Sequence, residues 1–316
     1  SGLGADHLIN QKNISNYPLE AKKFKFLHLS SCFPRKGIDI LLKAYGEAFD
    51  SSDDVSLIIK TFNNPHNNLE EILEEEMCKN SKYPDVIIIK EDLNNDEIKT
   101  LYQISDALIA PSRGEGFGLP IAEAMLHDLP VITTGWGGQT DFCNEDNSWL
   151  IDYEFAPAKT HFQLGMSYWA EPSCDHLKIL MREIFTMDSQ SLSTKVERAK
   201  LDIKSFSWNK MAIENKEFAE SLINKLAIPY PRIGWVSTWD TNCGIASYSR
   251  NLIDCMQSRV KLFTPLSSKN NSIEYDAIQC WSLDNSVSQD LTQLINCVIE
   301  SNISSLVIQF NFGFFN

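Results

Sequence analysis

The sequence predicts an α/β fold in which a doubly wound parallel sheet is followed by a second, shorter unit of the same type. Apolar runs of strand length alternate with amphipathic helical patterns along most of the chain, as in a parallel sheet covered by helices. A glycine-rich turn at 112–118 directly follows one such run and opens a helix. Beyond Pro229 and Pro231 the alternation begins again, which indicates a second unit.

Five strands of the first unit are predicted from short apolar runs bounded by polar or turn-forming residues. Their ranges are 24–30, 55–61, 85–90, 107–111 and 129–134. Apolar residues at helical spacing predict helices at 37–49, 68–80, 96–104, 120–128, 176–184 and 208–226. The segment 149–169 follows no clear period. We interpret its tryptophans and tyrosines as packing under a long surface segment, with sugar stacking as the alternative.

The second unit is predicted to contain strands at 232–238, 260–265 and 305–311, with helices at 245–256 and 287–301. Residues 242–248 open the first of these helices, and form either an anion or hydroxyl site or an ordinary helix N-terminus. The last strand runs into an apolar tail at 312–315 that nothing later in the chain can cover. We therefore expect a domain at 1–228 and a truncated domain at 229–316.

Charge and composition argue against several classes of partner. The 316 residues include 28 Lys and Arg against 42 Asp and Glu, for a formal net charge of -14. Nucleic acid or an anionic membrane as main partner would require a broad basic surface. The eight cysteines include no Cys-x-x-Cys pair, which indicates reduced thiols in the cytoplasm. No apolar stretch reaches the ~20 residues of a membrane span.

Residues 112–123, Ser-Arg-Gly-Glu-Gly-Phe-Gly-Leu-Pro-Ile-Ala-Glu, form the most informative stretch. Gly114, Gly116 and Gly118 permit backbone conformations closed to other residues and, without side chains, let a bulky ligand approach the backbone. Pro120 suits the first turn of a helix, whose free N–H groups and positive dipole end favour an anion such as a nucleotide diphosphate. The alternative is a tight strand-to-helix turn without a ligand.

Two carboxylates bracket this loop. Glu115 lies inside it, and Glu123 is predicted in the first turn of the following helix, where a negative charge also suits the helix dipole. Carboxylates accept paired hydrogen bonds from vicinal hydroxyls, so both suit a ribose or a hexose.

Cations are predicted at the same edge of the sheet, because parallel strands end there together. Arg35 and Lys36 follow the first strand, and would neutralise a diphosphate or form a solvated basic turn. Lys60 ends the second strand, and Arg113 either joins the phosphate cluster or pairs with a neighbouring acid. His66, in a Pro/Asn turn, is more typical of a structural or exposed histidine than of an acid–base catalyst.

The two glutamates eight residues apart, together with the Arg-Lys-Gly turn about 80 residues upstream, resemble the donor-binding half of family-four retaining glycosyltransferases of the GT-B fold, which is Rossmann-like. The similarity covers nearly all of 1–228, including the opening Gly4-Ala5-Asp6. It implies that Glu115 contacts the transferred sugar, Glu123 the ribose and Lys36 the diphosphate. One departure is Ser31, where many members have an arginine; Arg35 would supply that charge.

The same resemblance implies that the backbone of Gly116 to Leu119 faces the ligand, with the amides of Phe117, Gly118 and Leu119 bonded to sugar and phosphate oxygens. It implies no metal and no cofactor beyond the nucleotide-sugar donor. The alternatives on the same fold are a nucleotide-sugar epimerase and a non-catalytic nucleotide-sugar-binding module.

The loop sequences are similar to those of bacterial polysaccharide and O-antigen mannosyltransferases that join several transferase modules in one chain. This similarity favours GDP-mannose as donor. Residues 235–246 resemble the acceptor-binding half of such enzymes. The implied partners are a glycan or lipid-linked glycan acceptor and the missing halves of the adjacent modules. The implied location is the cytoplasm, with peripheral association at the inner face of the cell membrane left open.

Overall fold

The computed structural model describes residues 3–11, 18–160, 167–226, 232–239, 244–256, 260–266, 276–282 and 291–309. The chain divides into two compact units. The N-terminal unit is Ala5–Ser205, and the C-terminal unit consists of Ser1–Gly4 with Phe206–Asn316. This division lies after Ser205, whereas the sequence predicts that the first domain ends at residue 228.

The difference in boundary comes from one helix, Trp208–Leu226. Its residues Trp208 and Met211 share a buried core with Ile233 and Trp235 of the C-terminal unit. Its amphipathic pattern predicts a helix, but does not specify which unit its apolar face covers.

The N-terminal unit contains a six-stranded parallel sheet in the order β3-β2-β1-β4-β5-β6, which confirms the predicted doubly wound, Rossmann-like fold. The strands are β1 (Phe24–Leu29), β2 (Val55–Lys60), β3 (Asp85–Ile89), β4 (Ala107–Ala110), β5 (Val131–Thr134) and β6 (Trp149–Ile151). The helices are α1 (Ile38–Ala48), α2 (Leu69–Lys79), α3 (Asn95–Ile104), α4 (Leu119–Leu126), α5 (Cys174–Thr186) and α6 (Ser189–Ile203). Of these elements, β6 and α6 were not predicted from the sequence.

The aromatic segment contains two strands that periodicity did not reveal. After β6, β7 (Tyr153–Pro157) pairs with β8 (Tyr168–Pro172) as a separate antiparallel ribbon. Phe155 and Tyr168 on this ribbon are exposed, whereas Trp169 is buried. The expectation that the tryptophans and tyrosines of this segment pack under a surface segment is therefore wrong for Tyr168.

The sheet is anchored to α1 by buried aromatic residues whose hydroxyls find backbone partners. The Tyr45 hydroxyl donates to the carbonyl of Asp85 at 2.8 Å, and the Tyr83 hydroxyl donates to the carbonyl of Leu42 at 2.7 Å. Both rings lie in the main apolar core. This packing holds α1 against β3 and the residues that precede it.

The C-terminal unit contains a four-stranded parallel sheet in the order β11-β10-β9-β12. Its elements are α7 (Trp208–Leu226), β9 (Ile233–Val236), α8 (Gly244–Cys255), β10 (Val260–Pro265), β11 (Ala277–Trp281), α9 (Thr292–Glu300) and β12 (Ser305–Ile308). The sequence missed β11, and the tail at 312–315 and the start of the segment 242–248 lie outside the described residues. In the described parts of both units, no helix is long and apolar enough to cross a bilayer.

Gly37, between β1 and α1, is required by the fold. Its φ of 69° lies in the left-handed region, and a Cβ there would lie 2.0 Å from the Pro111 carbonyl oxygen. We expect Gly37→Ala to lower the free energy of unfolding by about 3 kcal/mol, since the left-handed conformation alone costs ~1–2 kcal/mol. Urea unfolding of the variant measures this loss. Gly114→Ala is the control, because no atom lies within 4 Å of the added methyl group; equal losses in both variants would contradict the argument.

His28 on β1 makes the stability of the fold depend on pH. The ring is buried, and its Nδ1 lies 2.8 Å from the carbonyl oxygen of Ile109. A carbonyl only accepts, so Nδ1 carries the hydrogen and Nε2 accepts from the Ser30 hydroxyl at 2.7 Å. Burial is the main cause that lowers the pKa of His28 to about 4 from 6.5, and the Lys36 charge adds to it.

The unfolded chain therefore takes up a proton on His28 at a higher pH than the folded chain does. The contribution of neutral His28 to the free energy of unfolding is complete above pH 6.5 and falls as the pH drops toward 4. The loss between pH 7 and pH 5 is about 2 kcal/mol. Urea unfolding at the two pH values tests this, with His28→Gln as the comparison. The variant should lose about 2 kcal/mol less than the wild type over this interval; equal losses in the two proteins would rule out His28 as the group responsible.

Candidate functional site

The glycine-rich loop between β4 and α4 is held by backbone contacts with two other turns. The amide of Arg113 donates to the Arg35 carbonyl at 2.7 Å, and the amide of Gly138 donates to the Glu115 carbonyl at 2.9 Å. A Cβ on Gly138 would lie 1.9 Å from the Gly116 oxygen. The loop thus packs against the turn that follows β1 and the turn that follows β5.

Only one of the three loop glycines has a conformation that favours glycine. Gly118 has a φ of 85° and precedes the first residue of α4. Gly114 and Gly116 do not have φ values in the left-handed region, and an added Cβ on either would meet nothing within 4 Å. Gly114 and Gly116 therefore do not use the conformations that glycine permits, and what they provide is backbone without an overlying side chain.

Glu115, Lys36 and Arg35 come together as the sequence predicts for residues at one sheet edge. Lys36 Nζ lies 2.5 Å from Glu115 Oε1, and Arg35 Nη1 lies 3.5 Å from Glu115 Oε2. The Ser112 hydroxyl, which the sequence analysis did not single out, also donates to Oε1 at 2.7 Å. The side chains of Glu115 and Lys36 are 9% and 12% exposed, and that of Arg35 is 43% exposed.

Burial and charge act in opposite directions on this cluster. Burial tends to raise the pKa of Glu115, but the charges of Lys36 and Arg35 and the hydrogen bonds from Lys36 and Ser112 hold it below its usual value. Burial lowers the pKa of Lys36, while Glu115 opposes that shift. Glu115 is therefore a carboxylate at neutral pH. Its negative charge lies next to Lys36 and Arg35, the two residues predicted to bind a diphosphate.

Arg113 has the second of its two predicted roles, because it pairs with acids. Its side chain donates to Asp39, Glu171 and the Pro34 carbonyl, at distances between 2.6 and 2.9 Å. A guanidinium has five N–H donors, and these contacts use all five. The guanidinium also lies 4.7 Å from the centre of the Trp169 ring. In this structure Arg113 joins α1 to β8 and has no donor left for a phosphate.

Glu123 lies one turn deeper in α4 than predicted, because it is the fifth residue of the helix rather than part of its first turn. One carboxylate oxygen accepts from the Tyr102 hydroxyl at 2.7 Å, and the other lies 3.1 Å from His7 Nε2. Burial and the Glu123 charge raise the pKa of Tyr102 well above its usual value. Each carboxylate oxygen can accept a second hydrogen bond, so ribose binding by Glu123 stays a prediction.

The remaining predicted residues have more varied surroundings. Leu119 is the first residue of α4 and Gly118 precedes it, so their amides lie at the helix N-terminus as expected for an anion site. Phe117 is buried, with its ring 4.9 Å from that of Phe142. Lys60 is buried at the end of β2 and donates to the Thr61 carbonyl at 2.8 Å. Its pKa is lowered, chiefly by burial.

A groove of about 590 Å³ lies beside the ion pairs of Arg113, between α1, α2 and the β7–β8 ribbon. Of the predicted binding residues it contacts only Arg113, and its lining includes Asp39, His66, Trp169 and Glu171. His66 is exposed and packs edge-on against Phe33, which fits the structural role better than acid–base catalysis. In the described parts of the chain, no three His, Cys, Asp or Glu side chains are placed to hold a metal ion.

Comparison with known proteins agrees with the fold and with the position of the loop. Residues 10–158 match the family model of glycosyl transferases group 1. They include the turn of Arg35 and Lys36 after β1, called the cation turn below, together with the glycine loop and α4. A segment of 65 residues is 35% identical to sulfoquinovosyl transferase SQD2 of Arabidopsis thaliana, and covers 21% of this chain and 13% of that protein.

Two solved structures show the fold at low sequence identity. Sucrose-phosphate synthase from Thermosynechococcus elongatus superposes with a TM-score of 0.54 and 18% identity, over 70% of this chain and 52% of that one. Anabaena Alr3699/HepE, solved with UDP and glucose, gives a TM-score of 0.50 and 20% identity, over 64% of this chain and 49% of that one.

The chain spans about half the length of these two structures and a smaller share of the plant protein. Within the N-terminal unit, the matched region contains every predicted ligand-binding residue of the loop and the cation turn. Residues 10–158 therefore match the glycosyl transferases group 1 family, and the chain has the Rossmann-like fold of GT-B glycosyltransferases.

Proposed function

We propose that the N-terminal unit binds a nucleotide diphosphate sugar, and that the protein transfers the sugar to a glycan acceptor with retention of anomeric configuration. The observation that carries the proposal is the cluster of Arg35, Lys36 and Glu115 at the N-terminal end of α4. Two cations and free helix N–H groups suit a diphosphate. The carboxylate suits sugar hydroxyls.

In this mechanism the bond between the anomeric carbon and the diphosphate breaks as positive charge develops on the sugar ring. The acceptor hydroxyl attacks the anomeric carbon from the same face, and its proton passes to the departing diphosphate. The main requirement is stabilisation of the departing diphosphate. Lys36, Arg35 and the amides of Gly118 and Leu119 supply it as groups that are already in place, so little reorganisation is needed during the reaction. Glu115 contacts the transferred sugar and Glu123 the ribose.

GDP-mannose is the donor that we favour, on the similarity of the loops alone, and polysaccharide or O-antigen synthesis is the corresponding pathway. Anabaena Alr3699/HepE, which shares the fold, was solved with UDP and glucose, so uridine nucleotides belong in the same test. The acceptor is proposed to be a glycan or a lipid-linked glycan.

A non-catalytic donor-binding module is the second candidate, because the chain spans about half the length of the solved structures that it matches. Binding of a nucleotide sugar without hydrolysis or transfer to an added glycan would favour this candidate. Release of free nucleoside diphosphate that depends on an added glycan would favour the transferase.

The cation turn gives the first test of donor binding. We expect Lys36→Gln to weaken binding of GDP-mannose or UDP-glucose at least tenfold, because a hydrogen bond from a charged donor contributes about 1.5–3 kcal/mol. Isothermal titration calorimetry measures the change. Lys200→Gln is the control, because Lys200 pairs with Asp128 on the surface. If the wild type binds neither nucleotide sugar, or if both variants bind as it does, the proposal fails.

Gly116 gives a test that separates binding from folding. Because an added side chain would point into open space, we expect Gly116→Val to unfold within ~2 °C of the wild type, since surface changes of this kind cost no more than about 0.5 kcal/mol. The same side chain would cover the backbone that the ligand approaches, so nucleotide-sugar affinity should fall at least tenfold. Thermal unfolding and calorimetry measure the two effects, and unchanged affinity would exclude Gly116 from the binding surface.

A further inference from the structure

The ion pairs of Glu115 engage the same two cations that the proposed function assigns to the diphosphate. Lys36 Nζ lies 2.5 Å and Arg35 Nη1 lies 3.5 Å from its carboxylate oxygens. Arg35 Nη1 also donates to the Gly114 carbonyl at 2.9 Å, so this cation contacts two adjacent residues of the loop. Any phosphate that reaches these cations therefore comes close to a buried negative charge.

The possible ligands differ in how they meet that charge. A nucleotide sugar carries hydroxyl groups next to its diphosphate, and a carboxylate accepts hydrogen bonds from hydroxyls. A free nucleoside diphosphate lacks the hydroxyls of the transferred sugar. Its terminal phosphate carries up to about one further negative charge near pH 7, since the second phosphate pKa is ≈ 6. It would therefore compete with Glu115 for Lys36 and Arg35 and gain nothing from the carboxylate.

Burial makes this repulsion significant. Glu115 and Lys36 are largely shielded from water, and charges interact more strongly where water does not screen them. We infer that Glu115 sets the preference of the site for a nucleotide sugar over a free nucleoside diphosphate, by competing with the terminal phosphate for Lys36 and Arg35. The inference rests on the proposed function, and assigns the carboxylate a role in releasing the nucleoside diphosphate product in addition to contact with the sugar.

Glu115→Gln is the variant that tests this role, because it removes the charge and keeps the shape and the hydrogen-bonding oxygen. We expect the affinity for UDP and GDP to rise at least fivefold. Affinity for the matching nucleotide sugar, UDP-glucose or GDP-mannose, should not rise, so that the preference for nucleotide sugar over diphosphate drops at least fivefold. Calorimetry with all four compounds on the full chain measures the affinities for the diphosphates and for the nucleotide sugars.

Two further variants make the result specific. Glu115→Asp keeps the charge on a shorter side chain, and should retain a preference for nucleotide sugar that the Gln variant loses. Glu197→Gln removes one negative charge from an exposed position on α6, and should leave every affinity unchanged. Circular dichroism of Glu115→Gln checks that the unit is folded when its binding is measured.

The outcomes separate the inference from the proposed function. If the wild type binds UDP-glucose or GDP-mannose but Glu115→Gln binds the nucleoside diphosphate no more tightly, Glu115 only contacts the sugar and the inference is overturned. If the wild type binds none of the four compounds, the proposed function is overturned, and the inference with it. Tighter diphosphate binding in Glu197→Gln of the same size as in Glu115→Gln would show a general charge effect, and would also overturn it.

Discussion

The pairing of β1 with β4 is the constraint on which the candidate site depends. These parallel strands are neighbours in the sheet, with Phe26 opposite Ala107 and Leu27 opposite Leu108. Their carboxyl ends therefore lie side by side, although Lys36 and Glu115 are 79 residues apart in the chain. The hydrogen bond from the Arg113 amide to the Arg35 carbonyl then joins the two turns directly. The pairing of these distant residues thus follows from strand order, as is general for sheets of this type.

The same edge of the sheet contains two ionic clusters with opposite roles. The Arg113 cluster is complete, because its guanidinium has a protein acceptor for each N–H group. It positions α1 and β8 and leaves no guanidinium donor for a ligand. The cluster of Lys36, Arg35 and Glu115 contains two cations and one carboxylate, so it retains a positive charge that a diphosphate can neutralise. This difference in balance, rather than the number of charged residues, separates the structural cluster from the proposed binding cluster.

Local patterns in the sequence predicted the elements that form the framework, because buried parallel strands are continuous apolar runs and glycine loops are distinctive. They missed β6, β7, β8 and β11, whose short or mixed sequences carry weak periodicity. They did not show that Tyr102 and His7 contact Glu123, or that Asp39 and Glu171 occupy Arg113, since such partners are distant in the chain. Hydroxyl and histidine partners have no fixed spacing from the residue they contact, and only the folded structure brings them together.

The central claim is that the loop between β4 and α4 and the turn after β1 form the diphosphate site of a nucleotide-sugar-binding unit. A crystal structure of the chain with a bound nucleotide sugar tests this most directly. We expect the diphosphate oxygens within hydrogen-bond distance of Lys36 Nζ and of the first amides of α4, with the Glu115 carboxylate turned toward a sugar hydroxyl. A nucleotide sugar bound in the groove beside Trp169 instead, with the Lys36–Glu115 pair intact and uncontacted, would contradict the account.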